Sequence, residues 1–414
     1  MGDRLLEGRH ILLGVTGGVA AYKAVALASR LTQAGAVVDV VLSAAAMRFV
    51  TPLSFESVTR RRAHYDMFAL PADTSPQVCP GDLLIAHIAL ARSADLMIIA
   101  PATANTLAKL AHGIADNLLT AVALAVTVPL VIAPAMESHM WEHPATQSNL
   151  AALRARGVVQ VGPATGHLAS GASGVGRMSE PEEIIAAARM VLACNGDLAG
   201  RRVVVSAGGT REAIDPVRFI GNRSSGKMGY ALANAARDRG AQVVLVTAPT
   251  ALPDPYGVQL VRAESASEMR DAVLAALEGA DALVMAAAVA DYRPVQVSAQ
   301  KIKKTEENLM LELTRTPDIL GEVAGLRAAG RGPRVVVGFA AETADLLANA
   351  QAKLRQKRLD LIVANDVSAP DAGFGVDTNR VTLLWADGSV EPLPLMTKEE
   401  LAHVIWDRVQ CLWA

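Results

Sequence analysis

The sequence predicts an α/β protein of two doubly wound domains, each built on a mainly parallel sheet. Short apolar runs rich in β-branched residues recur along the chain, each followed by small or turn-forming residues and then an alanine-rich helical stretch. The runs are continuously apolar and do not alternate, as a parallel strand covered on both faces requires. At 414 residues the chain also exceeds one ordinary domain, for which a prior is roughly 150 residues. Two Rossmann-like halves are the simplest architecture that meets all three observations.

In the first half the strand-like runs are "HILLGVTGG", "VVDVVLSA", "ADLMIIAPAT", "PLVIAPAM" and "GVVQVGPAT". A helix is expected after the last of them, with Ser179 as cap and Glu182 three residues on as a capping box. The stretch "HLASGASGVGRM", His167 to Met178, therefore reads as a loop between strand and helix. Its glycines suit a phosphate cradle, a mobile lid or a plain connection. The seam falls at "CNGDLAGRR", Cys194 to Arg202, where a helix ends in Asn-Gly and a fresh strand follows, dividing the chain into 1–195 and 196–414. The second half repeats the rhythm with "RRVVVSAGGT", "AQVVLVTAP", "ADALVMAAAVAD", "PRVVVGFAAET" and "DLIVAND".

Hydrophobic residues make up 51% of the chain and charged residues 19%, ample material for buried cores. A net charge of -2 provides no electrostatic footprint for nucleic acid or an anionic membrane, which points to small-molecule partners. Cys79, Cys194 and Cys411 lie far apart without a CxxC pair. That pattern argues for a reducing, cytoplasmic setting and against a disulfide framework or a thiolate metal site. The apolar run from Ile11 to Leu31 is broken by Gly14, Gly17 and Gly18 and interrupted by Lys23 and Arg30. It reads as strand, turn and helix, not as a signal peptide or a membrane span.

Ligands of such sheets sit outside the carboxyl ends of the strands, where loops and helix N-termini offer free N–H groups. "GVTGGVAAYKA" and "SAGGT" are glycine-rich strand ends of this kind, although neither is GxGxxG and both could be turns for close packing. Lys227 in "GNRSSGKMG" is not a Walker A lysine, because methionine follows it.

Taken in order, "GVTGGVAAYKA", "HIALARSADLMIIAPATANTLAKLAHGIADNLL", "APAMESHMWEHPAT" and the glycine-rich loop resemble the flavin-dependent cysteine decarboxylase family. "GGTREAIDPVRFIGNRSSGKMG", "AAAVADYRP", "KIKK", "GFAAET" and "DLIVANDV" resemble phosphopantothenate-cysteine ligase. Order and length are similar to the bacterial bifunctional proteins of coenzyme A biosynthesis across nearly the whole chain.

The resemblance implies two consecutive reactions. The C-terminal half would use CTP to activate 4'-phosphopantothenate as an acyl-cytidylate and let L-cysteine displace CMP. The N-terminal half would hold FMN and decarboxylate 4'-phosphopantothenoylcysteine to 4'-phosphopantetheine. The flavin oxidises the cysteinyl thiol so that the electrons left by CO2 have somewhere to go, then reduces the resulting enethiol.

By the same resemblance, Gly17, Gly18, Ser43 and Thr103 bind flavin, with ordinary capping as the plainer reading of Ser43 and Thr103. His87 matches the active-site histidine, whose ordinary pKa suits proton transfer near neutrality. Met140, Glu137 and Arg177 match substrate positions, Arg177 being available for an anionic group on a flexible clamp.

Two residues depart from the family pattern. Glu137 replaces an asparagine in Pro-x-Met-Asn-x-x-Met-Trp, so an amide that can donate to the substrate carboxylate becomes an acceptor. At ~4 Å two like charges cost about 4 kcal/mol at an effective dielectric of ~20, so Glu137 must be protonated, turned away or neutralised. Ser170 stands where a proton-donating cysteine is usual. Either the serine relays a proton from water, another group such as Cys79 takes over, or the domain is slow or altered in substrate.

In the ligase half the resemblance assigns Lys301, Lys353 and Lys357 to nucleotide handling, with Lys301 also serving cysteine attack. Asp291, Phe339 and the "TPDIL" residues Pro317, Asp318, Ile319 and Leu320 would wall the CTP site, and Asn222 would handle the acyl-cytidylate. Mg2+ is implied by triphosphate chemistry, Asp291 being its sole weak candidate ligand. A large homo-oligomer, often a dodecamer, is implied as well. The main alternative is an active ligase fused to an FMN-binding domain with lost or altered decarboxylase activity. A decarboxylase acting on peptide C-terminal cysteine and a binding-only protein are the other readings.

Overall fold

The computed structural model describes residues 5–68, 85–304, 308–342, 346–366, 373 and 375–413; Cys79 lies outside them. The chain divides into two compact units, with the change between Leu192 and Ala193.

The first unit runs β1 (His10–Val15), α1 (Ala21–Gln33), β2 (Val37–Leu42), α2 (Pro52–Thr59), β3 (Ala63–His64), α3 (Ala86–Ser93), β4 (Leu96–Ala102), α4 (Ala104–His112), α5 (Leu118–Ala125), β5 (Leu130–Pro134), α6 (Ser138–Glu142), α7 (Pro144–Ala155), β6 (Val159–Gln160), β7 (Ala164–His167), β8 (Ser173–Arg177) and α8 (Pro181–Leu192). Its main sheet has the order β3-β2-β1-β4-β5-β6 and is parallel throughout. Every residue of β4 is buried, as its unbroken apolar run demands. α1 buries Ala24, Leu27, Ala28 and Leu31, the i, i+3, i+4, i+7 stripe of an amphipathic helix. The chain reverses direction across the sheet between β1 and β4, a switch point where strand ends splay and leave a crevice.

The second unit continues with β9 (Arg202–Ala207), β10 (Arg211–Ala213), β11 (Phe219–Gly221), α9 (Lys227–Arg237), β12 (Gln242–Thr247), β13 (Gln259–Arg262), α10 (Ala266–Ala276), β14 (Ala282–Met285), β15 (Tyr292–Pro294), β16 (Leu313–Arg315), α11 (Ile319–Ala328), β17 (Val335–Glu342), α12 (Leu346–Gln356), β18 (Leu361–Asp366), β19 (Thr378–Asn379), β20 (Val381–Trp385), β21 (Val390–Pro392), β22 (Met396–Thr397) and α13 (Lys398–Cys411). Its sheet, β13-β12-β9-β14-β17-β18-β20-β21, is parallel from β13 to β18 and ends in two antiparallel strands. The switch point lies between β9 and β14. α13 starts on a Thr397/Glu400 capping box and buries Trp406, whose Nε1 donates to the Leu232 carbonyl at 2.9 Å.

The expected strand runs are all strands, and the fold is the doubly wound α/β class read from them. Three local expectations need correction. The stretch His167–Met178 is not a loop: most of it belongs to the antiparallel hairpin β7–β8. α8 begins at Pro181, which favours the first helical position, so Ser179 and Glu182 cannot form the capping box; the Glu180 N–H instead donates to Glu183. Asp291 does not end a strand, because β14 stops at Met285 and Asp291 lies exposed beyond it. Among the described residues no helix is long and apolar enough to cross a membrane.

Candidate active sites

The first unit opens a cavity of about 930 Å³ at the β1/β4 switch point. Gly17 and Gly18 floor it directly after β1, Ser43 follows β2, and Thr103 follows β4. A Cβ at position 17 would stand 2.4 Å from the Ala45 Cβ, so only glycine lets the two strand-end loops close on one another. Ser43 Oγ accepts from the Ala46 N–H at 3.2 Å, and Thr103 caps α4 by accepting from the Thr106 N–H at 3.4 Å. Both hydroxyls thus serve as caps while facing the cavity. Thr16 ties the two sides together, donating to the Pro101 carbonyl at 2.6 Å and accepting from the Thr103 N–H at 3.2 Å.

The opposite wall comes from Met136, Glu137 and Met140 and from the β7–β8 hairpin with His167, Ser170 and Arg177. Glu137 accepts from the His139 N–H at 2.7 Å and so caps α6. Its carboxylate caps its own helix and still lines the cavity, so this hydrogen bond does not take its charge out of the site. Ser170 sits in the tight hairpin tip, where the Leu168 N–H donates to the Ala172 carbonyl at 2.8 Å and Gly171 takes φ +86. The other glycines do not serve closure. The Met136 N–H donates to the Gly176 carbonyl at 2.9 Å, Ser138 Oγ donates to the Val175 carbonyl at 2.8 Å, and a Cβ on Gly176 would lie 2.1 Å from the Met136 oxygen. Strand β8 is therefore tied to Met136 and to Ser138 at the start of α6.

Arg177 is not an uncommitted cation. Its Nη2 donates to Glu180 at 2.9 Å, and the same carboxylate receives the buried Lys23 Nζ at 2.8 Å. The hydrogen bond from Lys23, helped by the charge of Arg177, holds the Glu180 carboxyl below its usual range. His87, half-buried on α3, does not line this cavity.

In the second unit a cavity of about 470 Å³ lies beyond the ends of β14 and β17. Asp291, Pro317, Asp318, Ile319, Leu320, Phe339, Lys353 and Lys357 all line it. Asp318 caps α11, accepting from the Gly321 N–H at 3.0 Å, and receives the Lys357 ammonium. Burial would raise the Asp318 carboxyl, but Lys357 and the Gly321 N–H outweigh it and the net shift is downward. Lys357 is thus an ion-pair partner at neutral pH and loses that partner only below the ordinary carboxylate range. Lys353 Nζ donates to the Phe339 carbonyl within β17 at 2.8 Å, bringing a second cation to the cavity wall.

Asn222 and Lys301 are outside the cavity lining. Asn222 Nδ2 donates at 2.9 Å to the carbonyl of Ala288, whose neighbours Ala287 and Val289 form part of the wall. Lys301 is exposed at the start of its segment.

Sequence reasoning missed several lining residues. Lys23 and Lys109 of the first cavity sit on α1 and α4, whose other faces are buried, and Asn117 precedes α5 as the N-cap of its capping box. Arg315 of the second cavity stands immediately before "TPDIL", and that adjacency was its one available signal.

Residues 3–193 match the family described as Flavoprotein, and residues 198–412 match the DNA/pantothenate metabolism flavoprotein C-terminal domain. The chain is 46% identical over 411 residues to the coenzyme A biosynthesis bifunctional protein CoaBC of Bacillus subtilis, covering 99% of this chain and 98% of that one. It is 47% identical over 414 residues to the CoaBC of Mycobacterium tuberculosis, with 97% and 96% covered. Among solved structures, the C-terminal domain of a CoaBC shares 42% identity over 53% of this chain and 98% of that chain, with a TM-score of 0.45. The FMN binding protein AtHal3 shares 34% identity over 44% and 96%, with a TM-score of 0.39. The chain therefore belongs to the family of the coenzyme A biosynthesis bifunctional proteins CoaBC.

Proposed function

We propose that the two cavities catalyse consecutive steps of coenzyme A synthesis. The second unit joins 4'-phosphopantothenate to L-cysteine with CTP, and the first unit, with FMN, decarboxylates the product to 4'-phosphopantetheine. One observation carries this reading above the rest. Eight residues assigned to the nucleotide site from sequence, scattered from Asp291 to Lys357, line one cavity at a strand-end edge. The direct test is CTP-dependent pyrophosphate release that requires 4'-phosphopantothenate; release without that acid, or no release at all, would sink the ligase assignment.

FMN fits the first cavity through its donor set. The narrow Gly17/Ala45 approach and the Ser43 and Thr103 hydroxyls suit a phosphate-bearing cofactor laid across the switch point. When bound, the flavin supplies a two-electron sink and source for the cysteinyl sulfur. The chain's own tasks are then to hold the substrate carboxylate near Glu137 and Met140, to enclose the site with the hairpin tip, and to deliver a proton near Ser170.

Mg2+ would arrive with the nucleotide. Among the described residues no three His, Cys, Asp or Glu side chains gather to hold a metal, so we assign no step to a protein-bound ion. Lys353 and Lys357 face the cavity and would offset phosphate charge, with Asp318 giving up part of its hold on Lys357. Asn222 would serve the acyl-cytidylate and Lys301 the cysteine step. A homo-oligomer, a dodecamer by the family resemblance, is part of the proposal; His87 standing outside the single-chain cavity supports an arrangement in which another copy brings it there. A cytoplasmic location is consistent with the free Cys194 and Cys411.

The Glu137 geometry makes a specific prediction. Asparagine keeps the cap on the His139 N–H, since Asn and Asp-type acceptors cap comparably, and it removes a charge facing an anionic substrate. Glu137→Asn is expected to lower KM for 4'-phosphopantothenoylcysteine about tenfold, equivalent to about 1.4 kcal/mol, with kcat within about twofold. Steady-state CO2 release measures both constants. An unchanged KM would mean that the carboxylate is already neutral or out of reach.

A further inference from the structure

The turn of the β10–β11 hairpin holds a carboxylate whose hydrogen bonds reach beyond its own loop. The Asp215 side chain is fully buried. Its Oδ1 accepts from the Val217 and Arg218 N–H groups, both at 2.8 Å, which builds the local turn. Its Oδ2 accepts from Arg218 Nε at 3.0 Å and Nη2 at 2.5 Å, and from the Ile302 N–H at 3.1 Å. Arg218 Nη2 also donates to the Ile302 carbonyl at 2.8 Å. One ion pair thus satisfies both backbone polar groups of the residue that follows Lys301. A third link, from the Ser298 N–H to the Ile214 carbonyl at 3.0 Å, joins the same turn to the same segment.

The other end of this hairpin leads straight into Asn222, whose amide bonds Ala288 beside the cavity wall. The hairpin is therefore the piece of chain that ties the Lys301 segment to the acyl-cytidylate side of the site. We propose that Asp215 is a positioning residue for the ligase reaction: with Arg218 it clamps the main chain at Ile302, so that Lys301 is presented to the acyl-cytidylate during cysteine attack. The inference rests on the reading of Lys301 given above. A main-chain clamp suits this task because it fixes the lysine's Cα while leaving its long side chain free to reach. The strong hydrogen bonding from Arg218, together with three backbone N–H groups, keeps Asp215 ionised far below neutrality, so the clamp holds across the pH range of any assay.

Asp215→Asn is a selective probe. The remaining oxygen can still accept from Val217 and Arg218, while the new amide NH2 meets the Ile302 N–H and the guanidinium as donor against donors. Ile302→Pro breaks the same bond from the other side, since proline has no N–H. In the full chain, pyrophosphate release should stay within about threefold in both variants. Conversion of the acyl-cytidylate on adding cysteine should slow at least about thirtyfold, with the intermediate accumulating and saturating cysteine giving no rescue. Equal losses in both half-reactions, or an unimpaired cysteine step, would overturn the clamp. Lys301→Gln run in parallel separates the two ideas: if that variant attacks normally, the role of Lys301 itself is wrong.

Discussion

Ser170→Cys is expected to raise the rate of CO2 release from synthetic 4'-phosphopantothenoylcysteine by about 10²-fold, the lower end of what a positioned acid contributes. Ser170 lines the first cavity at the tip of the β7–β8 hairpin, beyond the β8 residues tied to Met136 and Ser138. A thiol titrates near ~8.5 and can surrender its proton at neutral pH, whereas an aliphatic hydroxyl is a far weaker acid. The native chain would therefore borrow a proton from another group, or run this step slowly. His167 lines the same cavity from the hairpin strand just before the tip, and water is the other source. Rapid-mixing traces of flavin absorbance would show the gain in the reoxidation phase. Full-rate decarboxylation by the native protein with no gain in the variant would remove the thiol from the account.

Gly17→Val should leave the protein almost colourless. The first added carbon would lie 2.4 Å from the Ala45 Cβ and 2.8 Å from its carbonyl carbon, which is main chain and cannot swing aside. The loop carrying Ser43 must shift, and overpacking of this kind costs typically about 1–3 kcal/mol. At the upper end FMN affinity falls about 10²-fold. Pyrophosphate release should remain within about twofold, because the cavity proposed for the nucleotide is lined wholly by the other unit. Flavin fluorescence titration and the CTP assay on one preparation check both halves of the statement. A variant that keeps its flavin would move the cofactor away from the Gly17 turn.

The strands were legible because burial on both faces leaves a simple mark, the unbroken apolar run, as in "LMIIAPA" and "RVVVSA". The β7–β8 hairpin carried no such mark. Its residues are mostly Gly, Ser, Ala and Thr, and its order comes from backbone contacts to Met136 and Ser138 far away in sequence. Residues lining the second cavity were readable where they cluster, as in "TPDIL", and hidden where one residue such as Arg315 stands apart from a motif. Lys301 and Asn222 show a further limit of spacing arguments. What connects them is the Asp215–Arg218 pair in a turn, a feature that only the folded main chain displays.

Two chemistries residing in one chain require a fixed order of products. The purified protein with FMN would be given 4'-phosphopantothenate, L-cysteine and CTP while pyrophosphate and CO2 are followed together. Pyrophosphate should appear first and CO2 should trail it to the same end-point. Omitting CTP should abolish both, and synthetic 4'-phosphopantothenoylcysteine should restore CO2 alone. Pyrophosphate without CO2, persisting when the synthetic intermediate is supplied to the yellow protein, would contradict the decarboxylase half and leave a ligase joined to a flavin-binding unit.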